Sequence, residues 1–214
     1  MFAKFVAFDL ETTGLAREKD EIIEIGAVKF TVEEQAGKIK PKLLKTFQTL
    51  VKPSMLIPEA ATKVNNITNQ MVEDAPSLLD CLRKFTAFCG QDTILVAHNA
   101  DFDSGFLRLA YEKSSQFVPG NPIIDSLRIA RTLFPELPNH KLGDMAQMFK
   151  RRGLIAMDVT PGEMHRAVYD CEMLMEVLVA MLSRRLSQAE WDMAKFLQAV
   201  AAYKGTPQYL RKTR

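Results

Sequence analysis

Residues 2–8 are apolar apart from Lys4, and they lead straight into Asp9-Leu10-Glu11-Thr12-Thr13-Gly14. A segment apolar at nearly every position must be covered on both faces, which asks for a strand buried inside a sheet. On an extended chain residues two apart share a side, so the Asp9 and Glu11 carboxyls are expected together, about 7 Å apart along the strand. Gly14 is expected to free the backbone for a sharp turn just beyond them. Two acids projecting side by side repel each other unless a cation lies between them, and a hard divalent ion is the natural occupant.

An isolated Asp-x-Glu at a strand end reads most simply as a solvated junction. Two further clusters weigh against that. Ala97-His98-Asn99-Ala100-Asp101-Phe102-Asp103 follows a second short apolar run at residues 93–96, and His165-Arg166-Ala167-Val168-Tyr169-Asp170 opens a long amphipathic segment. Each cluster sits at the junction of a hydrophobic element.

Phe-Asp-x-Glu-Thr-Thr-Gly, then His-Asn-Ala-x-Phe-Asp, then His-x4-Asp, in this order, resembles the DEDDh family of 3′–5′ exonucleases, which includes the proofreading subunit of bacterial replicative DNA polymerase. The resemblance covers most of the chain. It implies metal-binding acids at Asp9, Glu11, Asp103 and Asp170 and a catalytic histidine at His165; the acid of the second motif follows Phe102, which excludes Asp101. The other branch of the superfamily has a tyrosine four residues before the last acid, where this chain has Arg166. By the same resemblance, the backbone around Glu11 and Thr12 holds the terminal 3′-hydroxyl, Leu15 wedges against the last base, and Ile67 lines the nucleotide pocket. Leu15 and Ile67 fit a core role about equally well. The family's usual His-Gly ahead of that isoleucine is Asn65-Asn66 here. Asn66 can take the positive φ of a glycine, while loss of the histidine leaves substrate preference open. His98 and Asn99 fit better as supports for the turn that carries Asp103 than as reactive groups.

Carboxylates from separate elements gather only where cations offset their repulsion. Phosphodiester cleavage has a use for two ions roughly 4 Å apart, one acidifying the attacking water and one stabilising the departing 3′ oxygen. All-oxygen ligands favour Mg²⁺ or Mn²⁺ over zinc, and Asp9, at the rigid end of the central strand, is the best candidate to bridge the pair. Residues five apart on a helix diverge by about 140°, so His165 and Asp170 cannot both lie on one continuous helix and face the same ions. The expectation is that Thr160-Pro161-Gly162 keeps His165 on a loop or first turn while Asp170 lies inside the helix. There the imidazole can take a proton from the attacking water.

The rest of the chain predicts an α/β fold. Residues 21–30 and 43–51 read as strands joined by a polar loop at 31–42, giving an antiparallel meander with the first strand. Leu78, Leu82, Phe85 and Cys89 mark a helix, 93–97 a short buried strand, Phe102, Phe106 and Leu109 a helix, and 123–125 a strand followed by a helix through Leu127 and Ala130. Residues 142–149 read as helical, and Ala167, Cys171, Leu174, Leu178 and Leu182 line one face of a long last helix. The family implies an RNase H-like fold, a mixed five-stranded sheet (antiparallel meander plus parallel strands) flanked by helices. The expected organisation is an exonuclease domain at 1–186 and a C-terminal helix with a basic tail at 187–214.

A net charge of +2 is too small to argue nucleic-acid binding. Three cysteines without a C-x-x-C spacing suit a reduced, cytoplasmic protein. The apolar start is cut short by acids and reads as a strand, not a signal peptide, and no run approaches the ~18 apolar residues of a membrane span. The leading expectation is therefore a metal-dependent 3′–5′ exonuclease that hydrolyses nucleic-acid 3′ ends, single-stranded DNA first, releasing nucleoside 5′-monophosphates. Polymerase association stands on family analogy alone. The alternatives are the same chemistry on RNA 3′ ends or short RNA, and a non-catalytic nucleic-acid-binding or scaffold module, against which the complete set of acids argues.

Overall fold

The computed structural model describes residues 4–35, 38–160 and 165–184. β1 (Lys4–Thr12) takes the middle of a five-stranded sheet of order β3-β2-β1-β4-β5, the place its apolar sequence requires. β2 (Ile22–Gln35) and β3 (Lys38–Leu50) complete the antiparallel meander, while β4 (Thr93–Ala97) and β5 (Ile123–Asp125) run parallel to β1. This is the mixed sheet expected of an RNase H-like fold.

Side chains of β1 alternate between two layers. Phe5 and Ala7 enter a core closed by α5 (Ser126–Leu133), α6 (Leu142–Arg151) and α7 (Ala167–Arg184). Val6, Phe8 and Leu10 enter the core on the other face, under α3 (Leu78–Cys89) and α4 (Ala100–Lys113). Phe5 stacks on Phe30 with ring centroids 5.2 Å apart, and each such buried ring contributes about 1.5–3 kcal/mol. The α7 stripe read from the sequence is buried throughout: Ala167, Cys171, Leu174, Leu178 and Leu182 are all at most 1% exposed. Cys81, Cys89 and Cys171 are buried free thiols.

β1 carries its acids within the ladder, as their strand spacing predicts: Asp9 pairs with Gly26 and Glu11 with Glu24, and the register shifts between Glu11 and Thr12. Several boundaries differ from the sequence reading. The loop expected at 31–42 is mostly strand. β2 and β3 pair from Glu24↔Leu50 out to Gln35↔Lys38. The hairpin keeps Val32 and Ile39 buried and lays its other residues against water, including the exposed Lys42–Glu33 ion pair. Charged, solvated strands carry a polar composition that looks like a loop. Two short helices, α1 (Glu59–Asn65) and α2 (Asn69–Val72), also escaped the sequence reading; their Ala61 and Val72 close a small cluster with Ile23, Ile57 and Ile67. Residues 187–214, read as a helix and basic tail, lie outside the described residues.

Candidate active site

The carboxyls collect where β1 outruns its parallel neighbour. The last β1–β4 pairing is Ala7↔Val96, and three residues further on the Leu10 amide donates instead to Asp103 Oδ1 at 3.1 Å. Asp103 comes from the first turn of α4, in the opposite layer, and reaches β1 around the end of β4. It is 3% exposed, and burial pushes its carboxyl up to about 8 against the pull of the Leu10 hydrogen bond. Asp9, half-buried, is raised well above the usual carboxylate range by burial and then by the charge of Asp103.

Glu11 and Asp9 share the α7 face of β1, as their spacing predicts. Burial, then Asp170 and Glu24, lifts Glu11 to about 8. Asp170 lies one turn into α7, and burial lifts it to about 6 while His165 works the other way. His165 stands outside α7, with φ at 63° in the left-handed region, and its backbone N–H donates to Asp170 Oδ2 at 3.2 Å. The expected loop-then-helix arrangement is therefore present, although Pro161 and Gly162 fall outside the described residues. One ligating atom from each of Glu11, His165 and Asp170 lies within 4.8 Å of the others, the single such trio among the described residues. Asp9 and Asp103 are not in that trio; they border it and interact with it through charge. His165, read from the sequence as a proton acceptor, is thus also close enough to ligate.

The donor set suits a hard divalent cation. Its acids are desolvated and crowd one another, so an ion that neutralises them removes a repulsion already present in the fold. Glu11 and Asp170, with Asp9 and Asp103 alongside, would hold it.

Around the acids, several expectations change in detail. Gly14 does not need a positive φ; a Cβ there would meet the Asp20 carboxylate at 2.5–2.6 Å, and that carboxylate accepts from the Ala16 amide and the Thr13 hydroxyl. Thr12 is buried, its hydroxyl donating to the Gly14 carbonyl at 2.6 Å. Leu15 is 85% exposed and free to meet a ligand, whereas Ile67 is 0% exposed and packs with Ile23 and Ile57. Ile67 is a core residue, not an open contact. Asn66 takes φ 59°, as anticipated. His98 is bound on both ring nitrogens, to Ser126 Oγ and the His140 carbonyl, and Asn99 at φ 68° gives its N–H to Asp125. Both secure the turn into α4. Asp101 faces outward, paired with Arg128 at 3.3 Å.

Two residues escaped the sequence reading. Glu24 alternates with Ile23 and Ile25 in β2, yet it is 0% exposed beside Glu11. Its signal was available: a charge amid Ile22, Ile23, Ile25, Ala27 and Val28 is anomalous in a strand covered on both faces. Asn65 is 2% exposed; its side chain bonds to Glu11, donates weakly to the Thr12 carbonyl at 3.5 Å and accepts from Ile67 N. It occupies the place where the resemblance led one to expect histidine, and nothing in its local sequence announces these contacts.

Comparison with known proteins agrees with this architecture. The chain is 38% identical over 179 residues to the PolC-type DNA polymerase III of Bacillus subtilis, covering 83% of this chain and 11% of that much longer protein. Its fold is shared with Exonuclease X in complex with 5′ overhanging duplex DNA, at TM-score 0.60 and 24% identity over 91% of this chain and 98% of the other. It is shared too with E. coli Exonuclease I bound to a dA16 oligonucleotide, at TM-score 0.63 and 17% identity over 94% and 43%. The family described as Exonuclease (RNase_T) matches residues 6–178, a span that takes in every carboxyl from Asp9 to Asp170, and the chain belongs to that family of hydrolytic nucleases.

Proposed function

We propose that this chain is a divalent-metal-dependent 3′–5′ exonuclease that removes nucleoside 5′-monophosphates from single-stranded DNA ends, with Mg²⁺ or Mn²⁺ as the ion. The observation that carries the reading is the convergence of Glu11, His165 and Asp170 within 4.8 Å, on the strand end that also holds Asp9 and reaches Asp103. Bound there, divalent ions supply neutralising charge for the phosphate and a more acidic attacking water. Asp9, Glu11, Asp103 and Asp170 are the ligands in this reading. His165, on an exposed bend, accepts the proton of the attacking water at a ring nitrogen. The backbone at Glu11 and Thr12 receives the 3′-hydroxyl and exposed Leu15 meets the terminal base. The names of the structural neighbours, which mention single-stranded or overhanging DNA, and the polymerase context of the B. subtilis relative support DNA and a polymerase partner. Because the chain spans 11% of that relative, the partner is a proposal in its own right.

We place the exonuclease domain at 1–186 and a separate C-terminal segment at 187–214, supported by a family match that ends at residue 178 inside α7. A cytoplasmic setting is supported by three free, buried cysteines. The test is digestion of matched 5′-labelled DNA and RNA oligomers with Mg²⁺. Stepwise shortening of the DNA from its 3′ end, faster than that of RNA, is expected. Faster RNA cleavage would move the substrate to RNA, and no cleavage of either would sink the enzyme reading.

A further inference from the structure

The fifth acid at the site, Glu24, has no place in the family motifs, and its contacts indicate one. Its carboxylate accepts four hydrogen bonds: Oε1 from Gln48 Nε2 at 2.7 Å and Arg166 Nη2 at 3.0 Å, Oε2 from the Ala167 amide at 3.2 Å and Arg166 Nε at 3.5 Å. The last three donors belong to the two residues that immediately follow His165. Two-pronged binding of this kind fixes the direction of a guanidinium as well as its distance. Glu24 is also the register partner of Glu11, so one short tether joins the strand pair carrying Glu11 to the start of the helix carrying Asp170.

Gly26, two residues along the same face of β2 and opposite Asp9, closes the approach. A Cβ there would lie 2.4 Å from the Ala167 carbonyl carbon, so α7 begins directly on the β2 backbone. Cys171 Sγ donates to the Gly26 carbonyl at 3.4 Å one turn further on. His165 meanwhile holds a φ of 63°, a conformation that a residue with a side chain keeps only when its surroundings impose it. On one side its N–H is bound by Asp170; on the other, Arg166 and Ala167 are fixed to Glu24.

We propose that Glu24 is a positioning residue: through Arg166 and the Ala167 amide it sets His165 and Asp170 against Glu11, and so determines turnover without touching the substrate. This role rests on the exonuclease reading above. The consequence is kinetic. A bend released from Glu24 leaves Asp9, Glu11 and Asp103 in place but lets His165 and Asp170 wander, and displacement of a reacting group by about 1 Å costs on the order of 10²-fold in rate.

The test compares Glu24→Gln, Arg166→Ala, Arg166→Lys and the double variant E24Q/R166A on a single-stranded DNA oligomer, with the folded fraction of each measured by chemical denaturation. Per folded molecule, E24Q and R166A are expected to lose roughly 10- to 100-fold in kcat while KM changes by less than about threefold. The double variant should be no worse than the poorer single one, because both substitutions cut the same tether. R166K, which keeps the charge without the fork, should recover part of the loss. If E24Q does not fold, R166A decides alone, since its side chain is 38% exposed and can be truncated without opening the core. A kcat within about twofold of wild type in the folded variants, or effects that add in the double variant, would overturn the role and leave the exonuclease intact. A wild-type protein inactive on both DNA and RNA would overturn the exonuclease reading and this role with it.

Discussion

The two halves of the site are held in different ways. Asp9, Glu11 and Asp103 belong to the sheet: the first two are residues of the central strand, and the third is bonded to that strand's own amide at Leu10. His165 and Asp170 depend on a helix delivered from elsewhere, on a left-handed bend, and on a buried carboxylate that grips the bend from β2. The first half is set once β1, β4 and α4 are assembled. The second exists only when α7 is seated on Gly26 and Glu24. The lesson is that crowded acids can be gathered cheaply by a strand end, whereas a reactive imidazole on a bend needs its own anchor.

Removing an acid of the first half is expected to have the largest effect. Asp9→Ala or Asp103→Ala is expected to abolish cleavage while the protein stays folded and, without metal, becomes no less stable, because one of several repelling groups is gone. Steady-state turnover with circular dichroism checks both; near-normal turnover by either variant would mean that the ligands are misassigned. His165→Ala tests the second half. Loss of roughly 10²–10⁴ in rate with metal and DNA affinity retained is expected of a proton acceptor, and titration of Mn²⁺ separates that from a ligand's role, since a variant failing through lost metal binding would place His165 among the ligands.

A smaller effect concerns stability. Glu11 and Asp103 are raised to about 8 and Asp170 to about 6 in the folded, metal-free protein, whereas in the unfolded chain such groups release protons near 4. Between those limits the folded state binds more protons, so the contribution of these groups is fully present below about pH 4 and is lost as pH rises toward about 8. Metal-stripped protein should therefore melt lower at about pH 8 than at about pH 5, and saturating Mg²⁺ should shrink the difference. A melting temperature that rises over this interval without metal would contradict the crowding. The smallest effect is expected from Asp101→Ala, which breaks only an exposed pair with Arg128 and should change both rate and stability little. A large loss there would move the site outward along α4.

The sequence exposed the first half of the site more fully than the second. Asp9 and Glu11 follow from the period of a strand, and the bend-plus-helix placement of His165 and Asp170 follows from helical geometry. The α7 stripe is legible because a long helix repeats its signal. What stayed hidden are contacts without a period. Glu24 alternates with Ile23 and Ile25 as a solvated strand residue would; the apolar run around it marks it as anomalous, but its partners lie more than 140 positions away and leave no local trace, as does the seat that Gly26 gives α7. The β2–β3 hairpin beyond the core reads as loop because water, not protein, covers much of it. Leu15 and Ile67 could not be separated by sequence, since both are apolar residues near turns; only the packing of Ile67 on Ile23 and Ile57 divides them.

The most direct measurement of the central claim is the activity of carefully metal-stripped protein on a 5′-labelled single-stranded DNA oligomer, before and after Mg²⁺ or Mn²⁺ is returned. The account predicts no shortening without metal and a 3′-to-5′ ladder with nucleoside 5′-monophosphate release once either ion is added. Full cleavage by the stripped protein, or shortening from the 5′ end, would contradict it.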